Sequence, residues 1–206
     1  GFKDTIYAEF LDYKEMVDKH EFLSTIANTN EPIDIARSIA VFSGFVEGLH
    51  LFSSFAMLLN YARFGTMTGM GTVITWSLRE ENAHVDGMLS IFRQLVRENK
   101  AIWTKEFKNE LYNTCRTMVD LEDQFIDLIF TKTEVQGLTA GEIKQYVRYI
   151  ADQRLQQMGL KPTFKVENSL PWIDWMVSGA NHTNFFEIKS TDYTKGSLVG
   201  SWNDVW

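Results

Sequence analysis

The chain has 206 residues with 23 % charged and 45 % hydrophobic, a globular balance that suits one domain or a piece of a larger one. A formal charge of −7 with no Lys/Arg run argues against nucleic acid, and no stretch approaches the ~18 uninterrupted apolar residues of a membrane span. The single cysteine, Cys115, excludes an intramolecular disulfide framework and a thiolate zinc cluster, suits a reducing cytosol, and reads as a small core residue.

Ile6, Phe10, Tyr13 and Val17 mark one face of a first helix from about Asp4 to Phe22, closed off by Asn28, Thr29 and Asn30. Pro32 fits the first turn of a second helix, with Asp34 near its positive end, and the pattern runs to about Phe64. Apolar residues surround that helix nearly all round, so it is expected to be buried on more than one side, with Glu47 in the interior. Gly65 to Gly71 reads as a turn, and a third helix follows to about Asn99.

Within the third helix Ile74, Leu78, Glu81, Val85, Met88, Phe92 and Leu95 recur at alternating steps of four and three, which places Glu81 on the core-facing stripe. A carboxylate there must be protonated, paired or bound to a cation. His84 lies one turn further on the same face. Glu-x-x-His is the step by which carboxylate-bridged two-metal bundles take two ligands from one helix, although a buried Glu and His bonded to each other would look the same. A second copy, Glu47-Gly-Leu-His50, sits in the second helix.

A fourth helix runs from about Thr104 to Phe130, where Asp120, Glu122, Asp123 and Asp127 read as a solvated face. Thr139 and Glu142 have capping-box spacing and open a fifth helix that Gly159 ends, with Pro162 just beyond. Trp172 and Trp175 are expected to pin an irregular segment, their indole N–H groups bonded. From about Thr183 the tail mixes aromatics with Gly, Ser, Lys and Asp and has no regular pattern, the composition of a segment that is floppy or docks on a partner.

Several stretches, in order, resemble the C-terminal half of the small, radical-generating subunit of class I ribonucleotide reductase: FVEGLHLFSSFA around Glu47, SLREENAHVDG around Glu81, LTAGEIKQYVRYIADQRLQQMGL, PWIDWM, and NFFE with TDY nearby. The resemblance implies an all-α fold, a ferritin-like helical bundle over residues 1–182, and a flexible tail over residues 183–206 that docks on the large subunit. It also implies a non-haem di-iron centre beside which oxygen generates a tyrosyl radical, in a cytoplasmic enzyme of deoxyribonucleotide synthesis. Glu47 and Glu81 match carboxylate ligands and His84 an imidazole ligand; this donor set suits iron and also manganese. Phe55 matches the apolar wall beside the metals, and Tyr193 the tail tyrosine that relays the radical between subunits. Glu80 stands where an aspartate on the electron path is usual, and Leu51 and Ser77 where apolar wall residues, one of them aromatic, are usual. His50 falls where the family has no ligand and is read as a histidine behind the ligands or toward solvent.

The family's further Asp, further Glu-x-x-His and radical tyrosine lie on earlier helices that match nothing here. Three ligands do not complete a two-metal site. The chain therefore reads as one piece of a split small subunit, a partial bundle completed by an N-terminal half on a separate chain, with the assembled subunit a dimer; an opening at Gly1 straight into helical sequence agrees with a cut piece. The alternative is a self-sufficient homodimeric ferritin-like di-iron oxidase or iron-storage protein pairing Glu47-x-x-His50 with Glu81-x-x-His84. A third reading is a helical interaction module without metal. No nucleic acid or membrane partner is expected.

Overall fold

The structure, a computed structural model, describes residues 12–26 and 29–179. The expected start of the first helix, Asn28 and the whole tail with Tyr193 lie outside the described residues. Among the described residues the regular elements are helices and there is no strand. We number them α1 (Lys14–Ser24), α2 (Pro32–Arg63), α3 (Thr68–Glu98), α4 (Lys105–Lys132), α5 (Ala140–Gln157) and α6 (Pro171–Gly179), with a single 3₁₀ turn at Lys100–Ile102.

Local chemistry sets the ends. Pro32 occupies the first turn of α2, where its missing N–H costs nothing, and Asp34 lies in that turn. The Thr104 hydroxyl accepts the Phe107 N–H to start α4. At α5 both halves of the Thr139–Glu142 capping box are formed. Gly159, at φ +83°, ends α5: its N–H reaches the Gln156 carbonyl and the Leu160 N–H reaches Leu155, the pairing that satisfies the last carbonyls of a helix. The expected turn from Gly65 to Gly71 is shorter. Met67, at φ 49°, precedes a helix that already begins at Thr68, and Gly71 lies inside it because a Cβ there would come within 2.4 Å of the Ala62 Cβ. The LPWIDWM segment also differs from expectation, since Pro171 opens a short helix. Trp175 is 77 % exposed and pins nothing, while the buried Trp172 indole N–H has no acceptor and the Arg63 guanidinium lies over the Trp172 ring, 5.0 Å from its centroid.

α2 is the central helix, lying against α3, α4 and α5. Phe45 and Leu49 are fully buried with Phe92 from α3, Phe107, Leu111 and Met118 from α4, and Ile143 and Leu155 from α5. By length and composition α2 would cross a membrane, but 67 % of its most apolar window is buried within the protein. Its middle, Ala40–His50, is π-helical rather than α-helical, which the residue spacing does not announce.

Charged groups tie the bundle together. Arg37 on α2 pairs with Asp34 and with Glu110 on α4; Arg148 on α5 grips Asp123 on α4 through two bonds of 2.6 and 3.0 Å. Asp152 accepts the backbone N–H groups of Thr163, Phe164 and Lys165 at 2.6 to 3.0 Å, folding the segment after α5 back onto it. The acidic residues of α4 are not one solvated face. Asp120 and Asp127 are exposed, but Glu122 is completely buried, on the stripe of Leu111, Cys115, Met118 and Ile126. Its carboxylate accepts from Lys19 Nζ on α1 at 2.6 Å and from the Ser53 hydroxyl on α2. Lys19 also lies over the Phe125 ring, 4.2 Å from its centroid, so it helps the half-buried Phe22 and Leu23 to hold α1, which has no fully buried residue, onto the bundle.

His50 belongs to the same network. It is buried, its Nε2–H donates to the Met118 carbonyl at 2.9 Å, and Glu122 is 3.7 Å away. Burial and the nearby Lys19 charge depress the imidazole from 6.5 to about 3. Cys115 is the expected core residue, fully buried, its thiol pushed up to about 12 by burial.

Two expectations follow. Unfolded His50 takes up a proton below its ordinary 6.5, while the folded residue resists until about 3, so stability is lost as pH falls through that window, by up to roughly 1.4 kcal/mol per pH unit. Urea unfolding of His50→Gln should therefore show a shallower loss between pH 6.5 and 4 than the parent; an unchanged slope would contradict the burial. Lys19→Met leaves the Glu122 carboxylate buried and unpaired and should cost about 3 kcal/mol at pH 7.5, with most of the loss recovered in the Lys19→Met/Glu122→Gln double variant.

Candidate metal site

α2 and α3 each have a less buried stripe. On α2 it comprises Phe42, Val46, Glu47, Leu51, Ser54, Phe55 and Leu58, in a helix otherwise largely buried from Ala36 to Asn60. On α3 it comprises Val73, Ser77, Glu81, His84, Met88 and Ile91, with Leu78, Val85, Leu89 and Phe92 turned into the core. Glu81 is thus not a core residue of this bundle. It is half-buried at the edge of the packed face, because the true core stripe runs about a residue further round the helix.

The two stripes meet at Glu47, Glu81 and His84, whose donor atoms lie within 4.8 Å of one another. His84 Nδ1 is 3.0 Å from Glu47 Oε2, with the two side chains 51 % and 33 % exposed. That approach is out of line for a hydrogen bond. Glu47 Oε2 is itself shut off from solvent and accepts none. A buried carboxylate oxygen without a donor is costly, and a cation is what it lacks. The spacing suits one: two ligand bonds of about 2.1 Å at right angles put the donor atoms about 3.0 Å apart. Two carboxylates and an imidazole are a donor set for a divalent transition metal. A metal therefore fits these residues by distance, by donor chemistry and by the otherwise unmet need of Glu47 Oε2.

The remaining residues singled out by sequence are placed as follows. Phe55 is half-buried on the same stripe of α2 as Glu47, edge-on to Phe52 at 6.1 Å, and Leu51 and Ser77 are half-buried on the two stripes. Glu80 is exposed. His50 lies on the other side of α2, bonded toward α4, so it does not join Glu47 in a second Glu-x-x-His ligand pair. Large apolar groups on the same two helices are left open to solvent: Ile35 and Phe42 on α2, Val73 and Ile91 on α3. What the sequence reading missed is Arg154, a buried guanidinium beside both ligand helices. Its position within α5 is visible only in three dimensions.

The chain matches the family model "Ribonucleotide reductase, small chain" over residues 2–171. It is 44 % identical to a "probable ribonucleoside-diphosphate reductase small subunit" of Invertebrate iridescent virus 3, an alignment covering 97 % of this chain and 58 % of that protein. A counterpart with the same description in Invertebrate iridescent virus 6 is 38 % identical over 100 % of this chain and 68 % of its own length. The ribonucleoside-diphosphate reductase subunit beta of Chlamydia pneumoniae is 33 % identical over 76 % of this chain and 45 % of its own. The chain thus spans between about half and two thirds of the length of these relatives. Among solved structures, the ribonucleotide reductase R2 subunit from Clostridium botulinum superposes with a TM-score of 0.76 at 27 % identity, covering 85 % of this chain and 57 % of that one. The all-helical architecture is the ferritin-like fold of those neighbours, and the chain belongs to the ribonucleotide reductase small-chain family.

Proposed function

We propose that this chain supplies part of the metal centre of a class I ribonucleoside-diphosphate reductase small subunit, with Glu47, Glu81 and His84 as ligands of a di-iron site. The observation that carries this reading is the Glu47 Oε2 atom, shut off from solvent without a hydrogen bond inside a group of three donors that fit within 4.8 Å. Manganese fits the same donors. When bound, such a centre supplies the one-electron oxidising power that the family uses to make a tyrosyl radical and start nucleotide reduction.

The chain's own residues have simpler tasks. Glu47 and Glu81 would hold the cations with their carboxylates, and His84 with its imidazole. Leu51 and Phe55 keep water from one side. Glu80, exposed next to Glu81, stands at the outer end of an electron path, and Tyr193 in the tail carries the radical onward to the large subunit. Residues 1–182 act as the C-terminal part of the helical domain and residues 183–206 as the docking tail.

Three ligands serve about one metal ion, and the apolar surface of Ile35, Phe42, Val73 and Ile91 on the same two helices is of the kind that another protein surface covers. The missing donors and the cover come from helices outside these 206 residues. In the split arrangement these helices form a second chain carrying the N-terminal half, and the assembled small subunit pairs as a dimer.

By itself the chain should bind ferrous or manganous ion only weakly and give no radical signal by electron paramagnetic resonance; adding the complementing helices, ferrous iron and oxygen should produce both a stoichiometric centre and the signal. A full two-iron centre in the lone chain would contradict the reading. In the assembled protein Glu81→Ala or His84→Ala should remove about one metal per site, as read by elemental analysis, whereas His50→Ala should leave metal content near normal. Deleting residues 200–206 should abolish binding to the large subunit with the metal content intact. Tyr193→Phe should bind normally and fail to turn over; normal turnover would reduce Tyr193 to a docking contact.

A further inference from the structure

Behind the two ligand helices lies a charged group to which the metal reading gives no role. Arg154, near the end of α5, is 4 % exposed. Its Nε–H donates to the Gly48 carbonyl at 2.8 Å and its Nη2 to Asn82 Oδ1 at 3.0 Å. Gly48 follows Glu47, and Asn82 follows Glu81. One planar guanidinium therefore touches α2 and α3 at the residues beside both carboxylates. Its third arm, Nη1, donates to Gln157 Oε1 at 3.0 Å, and Gln157 Nε2 donates to Asp86 Oδ1 at 2.7 Å, a second hold on α3 one turn further along. The Phe52 ring lies 4.9 Å from the guanidinium carbon.

All three direct acceptors are neutral, and burial lowers the guanidinium to about 10, still protonated at neutral pH. A cation taken out of water without a carboxylate in hydrogen-bond contact is a weak contributor to stability, and an apolar side chain would fill the space at less cost. What the arginine offers is reach in three directions with fixed angles.

α2 is shaped to admit it. A Cβ on Gly48 would come within 2.8 Å of Arg154 Nε and 3.2 Å of its Cδ. Gly48 also lies near the end of the π-helical segment. Where a helix returns from bonds spanning five residues to bonds spanning four, one carbonyl is passed over, so acceptors in that turn need a donor from elsewhere. If the extra residue of the π-helical turn slid past Glu47, its carboxylate would swing by roughly 100° round the helix, away from Glu81 and His84.

We infer that Arg154 is a positioning residue: it holds the π-helical segment of α2 against α3 and thereby fixes Glu47 opposite Glu81. The purpose of this arrangement rests on the metal reading; the arrangement itself does not.

A cavity of about 360 Å³ opens beside Arg154, between Phe52, Leu78, Ile150 and Ile173, so a small cation can enter when the side chain is shortened. The test compares the 206-residue chain with Arg154→Ala and Arg154→Lys by amide hydrogen exchange in metal-free buffer, and by cobalt(II) affinity in competition with a fluorescent chelator. In Arg154→Ala exchange should quicken by about tenfold or more at residues 40–53 and stay unchanged in α4, and added methylguanidinium should restore protection where methylammonium does not. Arg154→Lys should behave like the alanine variant, since an ammonium cannot span both helices. Cobalt affinity should fall about 10- to 100-fold. Faster exchange spread evenly over all helices, full rescue by lysine, or unchanged exchange at residues 40–53 would overturn the positioning role. Local loss of protection together with cobalt binding by the parent chain that Glu81→Ala leaves unchanged would strike the metal reading and leave the clamp standing. Cobalt binding that is equal in parent and Arg154→Ala would strike the clamp and leave the metal reading standing.

Discussion

A carboxylate oxygen shut off from solvent and without a hydrogen-bond donor sets the terms for this molecule. Glu47 is carried on the central helix of the bundle, and one of its oxygens is enclosed with His84 Nδ1 3.0 Å away, out of line for a hydrogen bond, and a Glu81 oxygen within 4.8 Å of the pair. An enclosed acceptor without a donor is costly even where the rest of the side chain reaches solvent, so the helices that hold it carry a polar demand as well as an apolar core. The two faces of α2 show the same problem met in two ways. On one side Glu47 Oε2 has no hydrogen-bond donor; on the other Glu122 is supplied with Lys19 and Ser53, and His50 stays neutral and bonded to Met118.

The helix that carries both faces departs from α geometry where it matters. The π-helical segment Ala40–His50 spans Glu47, and Arg154 reaches its last turn from α5 while also holding α3. Core packing of Phe45, Leu49, Phe92 and Leu155 brings the helices together, but close packing alone does not select one register of a π-helical turn over another. Directed bonds to a carbonyl do. The same need for direction explains why Gly48 carries no side chain.

Much of this was legible in the sequence. Periodicity located α2 to α5 within a few residues, but not α1, which begins at Lys14 after an extended Tyr13 rather than running unbroken from about Asp4, nor the short helix α6. Thr139, Glu142 and Gly159 marked the ends of α5 correctly because capping is a local matter of a few bonds. Glu47, Glu81 and His84, singled out from two short motifs, do meet in space. The burial of Glu122 was readable but misjudged: it lies at the same steps of three and four from Leu111, Cys115 and Met118 that drew attention to Glu81, yet its acidic neighbours suggested a solvated face. Its partner Lys19 is on another helix, which no local pattern reveals. The π-helical segment, the exposed Trp175 and the reach of Arg154 depend on how helices are stacked, and one-dimensional spacing carries no record of that. Membership of the ribonucleotide reductase small-chain family accounts for the fold.

The central claim is that Glu47, Glu81 and His84 together hold a divalent metal. Crystals of the chain grown with manganous ion, measured at a wavelength where manganese scatters anomalously, locate the ion directly. The account predicts an anomalous peak within about 2.3 Å of donor atoms from all three residues. A well-ordered peak elsewhere with none among these three, or Glu47 Oε2 found bonded to a protein donor in metal-soaked crystals, would contradict it.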